Sequence, residues 1–183
     1  MTNTRTTTKN MVIAALCVAL GLLLPFLTGQ IQQFGQMLCP MHFPIFICGM
    51  ICGWRWGLAA GFATPLLRHV LFGMPPMPGA LFMAFELAAY GLFAGLLVAA
   101  FTRKGERRTE LTLAKLYAAL IIAMLAGRIV YGIVRYVFAG VNGTSFTLPM
   151  WLAAEFTGTW PGIVLQLLII PPLVKRLAKV QQA

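Results

Sequence analysis

Long apolar runs, separated by short polar, basic or proline-rich breaks, most constrain what this chain can fold into. Hydrophobic residues make up 60% of its 183 positions and charged residues only 10%. So little polar surface cannot cover a water-soluble globule of this size. Because a helix needs about 20 apolar residues to cross a bilayer, the sequence predicts an all-α integral membrane bundle surrounded by lipid.

The runs predict six transmembrane helices in a single domain, residues 1–183. The predicted bounds are 9–27, 41–53, 57–72, 80–101, 113–138 and 148–173. Prolines predict a bend in the third span at Pro65, and bends or interruptions in the sixth at Pro161, Pro171 and Pro172. No G-x-x-x-x-G-K-[ST] sequence occurs, so any dependence on ATP must come from a partner.

The basic residues predict the orientation of the bundle. The net charge is +10, and Lys and Arg cluster before the first span, in the break at 102–108 and after the last span. The breaks at 28–40, 73–79 and 139–147 contain neither. Since positive loops stay on the cytoplasmic side, both termini are predicted to be cytoplasmic. Topology thus accounts for the charge, and we do not expect nucleic-acid binding.

Small residues recur at helical spacing in three spans. In the second and third spans glycines follow one another every four residues, at Gly49, Gly53, Gly57 and Gly61. This spacing predicts close helix packing, with two short helices meeting at a glycine-rich corner. Gly91 and Gly95 predict a similar surface in the fourth span. The four cysteines lack the spacing of a zinc site, so we expect them to be small buried side chains and predict no metal.

Ionisable residues inside the apolar runs are the candidate functional residues, since a charge costs roughly 2.5–3.5 kcal/mol at the bilayer centre. Four of them lie within about 5–12 Å of the predicted outer face, counting about 1.5 Å per helical residue. These four are Arg68, Glu86, Arg135 and Glu155. Arg128 lies deeper, and Arg128, Tyr131 and Arg135 share one helix face at i, i+3 and i+7.

Two interpretations of these charges remain open. In the first, Arg68 pairs with Glu86, and Glu155 pairs with an arginine of the fifth span, to hold two hairpins together. In the second, the residues line a polar pocket that opens outward, where three arginines against two glutamates favour an anionic, carboxylate-bearing ligand. Three further side chains are candidates for hydrogen bonding or stacking in that pocket: His42, Asn142 and Trp151.

The topology and three segments of sequence resemble a known family. The segments are PMHFPIFICGMICGWRWGLAAGFATPLLRHVLFGMPP, then FELAAYGLFAGLL, and an Ala-x-x-x-Ala spacing at Ala15 and Ala19. They resemble the substrate-binding S components of energy-coupling factor (ECF) vitamin transporters, in the branch with riboflavin- and pantothenate-type members.

The resemblance implies a high-affinity binder of a vitamin or vitamin precursor in a bacterial cell membrane, without catalytic activity or cofactor. It would dock on a transmembrane coupling subunit carried by two ABC-type ATPases. Ala15 and Ala19 would face that subunit, and residues 28–40 would cap the pocket.

Other function classes have less support in the sequence. A membrane-embedded enzyme could use His42, His69, Glu86 and Glu155 as acid, base or metal ligands. However, no H-E-x-x-H or G-x-S-x-G motif occurs. A channel would need a polar lining through the inner half, which is almost wholly apolar. A stand-alone small-solute transporter remains an alternative, although no repeated half is evident.

Overall fold

The computed structural model describes residues 2–28, 37–102 and 111–182, and within them it contains helices and no strands. This confirms the predicted all-α class. The helices are α1 (Thr2–Leu23, followed by a 3-10 turn, Leu24–Thr28), α2 (His42–Cys52), α3 (Trp54–Phe72), α4 (Gly79–Phe101), α5 (Leu113–Val141), α6 (Leu148–Leu152, followed by a π-helical turn, Ala153–Thr157) and α7 (Trp160–Gln182).

Within the described residues, four helical segments are long and apolar enough to cross a membrane. They are Thr7–Leu27, Gly79–Phe101, Leu113–Val141 and Trp160–Lys179. These segments make the chain a multi-pass membrane protein. The helix α2 is apolar but has only 11 residues, or about 16 Å at the usual rise, so it is shorter than the hydrocarbon core. The six-span count and the cytoplasmic termini therefore stay predictions.

Glycines allow α2, α3 and α4 to touch through their backbones. A Cβ atom added at Gly49, Gly57 or Gly61 would collide with backbone atoms of α4, at Gly91 or Leu87. The corner between α2 and α3 is Gly53, whose φ of 97° favours glycine. The predicted close packing, and the junction of two short helices at a glycine corner, are both confirmed.

The helix α4 lies at the centre of the bundle, where it packs against α2, α3 and α5. Its sequence is apolar on almost every side, which is typical of a helix enclosed by others. The short α2 is also enclosed, since nine of its residues are buried and it packs against α1, α3, α4 and α7. Polar side chains on the inner faces of α2 and α4 therefore lie away from both water and lipid.

The region predicted as the sixth span departs most from a regular helix. After α6 the chain forms the π-helical turn, and a new helix begins at Trp160. Pro161 lies in the first turn of α7, where a missing N–H costs nothing. Pro171 and Pro172 lie inside α7, which continues to Gln182. The predicted interruption is thus present, but it precedes Pro161, and the helix extends beyond the predicted end at residue 173.

Candidate functional site

Polar side chains from four parts of the chain meet in the middle of the bundle. We call this group the central polar cluster. It consists of His42 on α2, Glu86 and Tyr90 on α4, Arg128 on α5, Glu155 in the π-helical turn, and Thr159 just after that turn. The ionisable members are buried, with at most 6% of their surface exposed. Buried charges in an apolar bundle need partners, and the cluster supplies them.

Glu86 anchors one half of the central polar cluster. The hydroxyl of Tyr90, one helical turn further along α4, donates to Glu86 Oε1 at 2.5 Å. His42 Nε2 lies 3.6 Å from the same oxygen, and the imidazole ring packs on the Tyr90 ring with centroids 5.3 Å apart. Among the described residues His42 Nδ1 has no hydrogen-bond partner. This half therefore combines one carboxyl group with a histidine that is only partly satisfied.

Arg128 and Glu155 form the other half. Arg128 Nη1 lies 3.9 Å from Glu155 Oε2 and donates to Thr159 Oγ1 at 3.2 Å. The guanidinium lies over the Phe156 ring, 4.9 Å from its centroid. The Thr159 hydroxyl donates to the Glu155 carbonyl. The π-helical turn thus brings both residues to Arg128. Such π-type turns are frequent at functional sites.

The two halves lie close enough for the charge of Glu86 to act on the carboxyl group of Glu155. Two carboxyl groups thus face one arginine and one histidine. The second predicted pairing, between Glu155 and an arginine of the fifth span, is confirmed for Arg128.

Arg135 and Tyr131 extend the central polar cluster toward the C-terminal end of α5. Arg135 Nη1 donates to the Tyr131 hydroxyl at 3.2 Å. Its half-buried guanidinium lies over the rings of Phe82 and Phe146, 5.6 and 4.7 Å from their centroids. Within the described part of the chain Arg135 has no acidic partner. The hydrogen bond joins Arg135 to Tyr131, which lies on the same face of α5 as Arg128.

Arg68 lies apart from this group. Its Nη1 donates to the Leu22 carbonyl at 2.5 Å, and its guanidinium lies over the rings of Phe26 and Phe72. In a 3-10 turn that carbonyl would pair with the amide three residues later, but Pro25 has no N–H. Arg68 therefore satisfies the end of α1, and the predicted pairing with Glu86 is wrong.

The remaining predicted site residues have local structural contacts. Asn142 is exposed, and its Nδ2 donates to the Phe138 carbonyl at 2.8 Å, which caps α5. Trp151 Nε1 donates to the Arg128 carbonyl at 3.0 Å, so it borders the cluster. His69 Nδ1 lies 2.8 Å from the Pro75 carbonyl, and the four residues of the enzyme alternative are therefore not assembled.

Sequence reasoning missed three polar residues, of which Tyr90 and Gln166 are buried and Thr159 is partly buried. Tyr90 could have been found, because it follows Glu86 by four positions on the same helix. Thr159 carries no such signal, since the π-helical turn changes which residues share a face. Gln166, on α7, is 1% exposed, and within the described residues its Oε1 has no partner.

An apolar groove lies between α1, α2 and α7, with a volume of about 790 Å³. Its lining includes Leu16, Phe43 and Leu173, and among the described residues that line it Lys9 is the one with a charge. Ala15 and Ala19 are exposed on α1, whereas Ala14 and Cys17 point into the bundle. The groove is lined almost wholly by apolar side chains. The central polar cluster and Arg135, by contrast, offer polar groups that can recognise a polar solute.

Comparison with known proteins identifies the family. Residues 9–174 match the family model described as "ECF transporter, substrate-specific component". No curated protein and no solved structure matches the chain. Because the match covers nearly the whole sequence, the chain belongs to the substrate-specific components of ECF transporters, the membrane subunits that bind a solute for uptake.

Proposed function

We propose that this protein is the high-affinity binding subunit for a vitamin or vitamin precursor, and that its site is the central polar cluster together with Arg135. The observation that carries the proposal is the convergence of Glu86, Arg128 and Glu155, from three separate elements, inside an apolar bundle. Ionisable groups at such depth are costly and usually mark a functional site. A binding subunit, in contrast to an enzyme, returns its solute unchanged.

An acid, such as pantothenate, is the cargo that Arg135 favours. The sequence suggested an anionic ligand because three arginines oppose two glutamates. Arg68 is bonded to the last turn of α1, and Arg128 lies beside Glu155. The preference for an anionic ligand therefore depends on Arg135 alone. Its guanidinium donates to Tyr131 and, in the described part of the chain, meets no carboxylate. A planar guanidinium with further N–H donors can bind a ligand carboxylate through two hydrogen bonds.

Transport would require partners. We propose that the exposed face at Ala15 and Ala19 docks on a transmembrane coupling subunit, which two ABC-type ATPases energise, in a bacterial cell membrane. Small residues on a helix surface allow another helix to approach closely, which supports this role. The proposed cap, residues 28–40, includes 29–36, which lie outside the described residues.

Thermal stabilisation of the purified protein by a panel of B vitamins, their precursors and biotin tests the binding role. A ligand that binds only the folded state raises the melting temperature by mass action. We expect one compound to raise it, and Arg135→Ala to abolish the shift. Arg55→Ala is the matched control, because Arg55 is exposed and lies over Trp54. If no compound raised the melting temperature, or if the increase in Arg135→Ala were equal to that in the unmodified protein, the proposed site would be contradicted.

A further inference from the structure

The central polar cluster places two buried carboxyl groups beside a single arginine. Like charges repel strongly in a medium of low dielectric, so the two carboxyl groups need partners that are positively charged or donate hydrogen bonds. The acidic pair faces Arg128, which lies 3.9 Å from Glu155. Glu86 receives one hydrogen bond from Tyr90, and within the described residues no lysine or arginine pairs with it. Within the described residues Glu86 therefore has one hydrogen bond, from Tyr90, and further acceptor capacity for a ligand.

His42 provides independent evidence that the cluster is incomplete. It is 6% exposed, and its Nδ1 has no partner among the described residues. Its Nε2 lies 3.6 Å from Glu86 Oε1, beyond the usual hydrogen-bond distance of about 3.2 Å. Buried polar atoms are nearly always paired, so an unpaired one needs an explanation. Nε2 is the ring nitrogen that faces Glu86, so a ligand that packs beside the imidazole would supply a partner for Nδ1.

We propose that the central polar cluster binds a nitrogen atom of the solute that donates hydrogen bonds, either a protonated amine or an amide-type N–H. This inference rests on the proposed function and narrows its substrate class. Glu86 and Glu155 accept the nitrogen's hydrogens, and His42 lies beside it. Under the proposed function Arg135 binds a carboxylate. The cargo therefore carries both a carboxylate and a nitrogen that donates hydrogen bonds. Arg128 and Arg135 are seven residues apart, or about 10 Å along α5, which is the length of a small metabolite.

A proton shared between the two carboxyl groups is the competing explanation. It would also relieve their repulsion, but it would give the cluster no preference for nitrogen in the ligand. The two explanations therefore differ in ligand selectivity, which can be measured.

Calorimetric binding to the purified full-length protein, with probes matched in their carboxylates, separates the two. The pairs are pantothenate with pantoate, and β-alanine with propionate; in each, only the first compound has the N–H donor. We expect the donor-bearing member of at least one pair to bind about tenfold or more tightly than its partner, as expected for hydrogen bonds to charged groups. Glu86→Gln should remove most of that preference.

Glu110→Gln is the charge-matched control, since it changes a glutamate of the hydrophilic break. If Glu86→Gln does not fold, Glu155→Gln and His42→Asn make the same test. Equal affinity within every pair that binds, or a preference unchanged in all three variants, would overturn the inference while solute binding stood. Binding of none of these probes would overturn the substrate class. If, in addition, no compound of the wider vitamin panel raised the melting temperature, the proposed function would be overturned too.

Discussion

Arg68 and Arg128 are both buried arginines in apolar helices, with 4% and 3% of their surface exposed, yet their surroundings differ. Arg68 donates to a backbone carbonyl at the end of α1 and lies between aromatic rings. Arg128 faces a carboxylate in a group of titratable side chains. Burial and charge therefore do not separate a structural arginine from one in the proposed binding site. The chemistry of the partners does.

The comparison extends to the two regions around these arginines. Around Arg68, α1 is fixed against α3 and presents Ala15 and Ala19 outward. Around Arg128, residues of α2, α4 and α5 meet the π-helical turn. Our account assigns docking to the first region and solute binding to the second, and four substitutions test that division.

The largest expected effect is on uptake. Ala19→Trp should abolish solute uptake by cells that contain the coupling subunit, because a bulky side chain prevents close helix approach. Ligand binding in detergent should be unchanged. Ala99→Trp is the matched control, an exposed alanine on α4, and should transport normally. Equal loss of binding and uptake in Ala19→Trp would show that the two regions are not separate.

Glu155→Ala should produce the largest loss of stability. Removing one partner of a buried ion pair typically costs about 3–5 kcal/mol, because the other charge is left uncompensated. Thermal unfolding in detergent measures this loss. Glu155→Gln keeps the shape and should lose less. A variant as stable as the unmodified protein would show that Arg128 does not depend on Glu155.

Arg68→Ala should reduce stability without selective loss of binding. The Leu22 carbonyl would lose its donor, at a cost of about 1–3 kcal/mol, and the melting temperature should fall. The same ligand should still raise that temperature by a normal increment. A normal melting temperature with no ligand shift would place Arg68 in the binding site.

Asn142→Ala should have the smallest effect. Its amide donates to the Phe138 carbonyl at the end of α5, and an exposed cap of this kind contributes about 0.5–1.5 kcal/mol. Ligand affinity should not change, and a calorimetric titration checks this. Loss of affinity would bring Asn142 into the site.

The sequence predicted relations within one helix better than relations between helices. Residues three, four or seven positions apart share a face whatever surrounds them, so the alignment of Arg128, Tyr131 and Arg135 and the glycine surfaces followed from spacing. The partner of Arg68 depended on the rotation of α3 and on the missing N–H of Pro25. Depth along the helix matched Arg68 to Glu86, but depth does not specify the direction in which a side chain points.

The break before α7 shows the same limit. Prolines indicated an interruption near residue 161, but the π-helical turn places Glu155 and Thr159 beside Arg128. A local change in helical repeat shifts every later residue to another face. Contacts beyond that point, including those of Thr159, could not be derived from α-helical spacing.

Mass spectrometry of the small molecules released when the purified protein is denatured tests the central claim most directly, because a high-affinity subunit retains its cargo through purification. We predict that one compound with both a carboxylate and an N–H donor is released in amounts comparable to the protein, and that it is absent from Arg135→Ala and Glu86→Gln. Equal retention by both variants would contradict the proposed site, and would direct attention to the apolar groove between α1, α2 and α7.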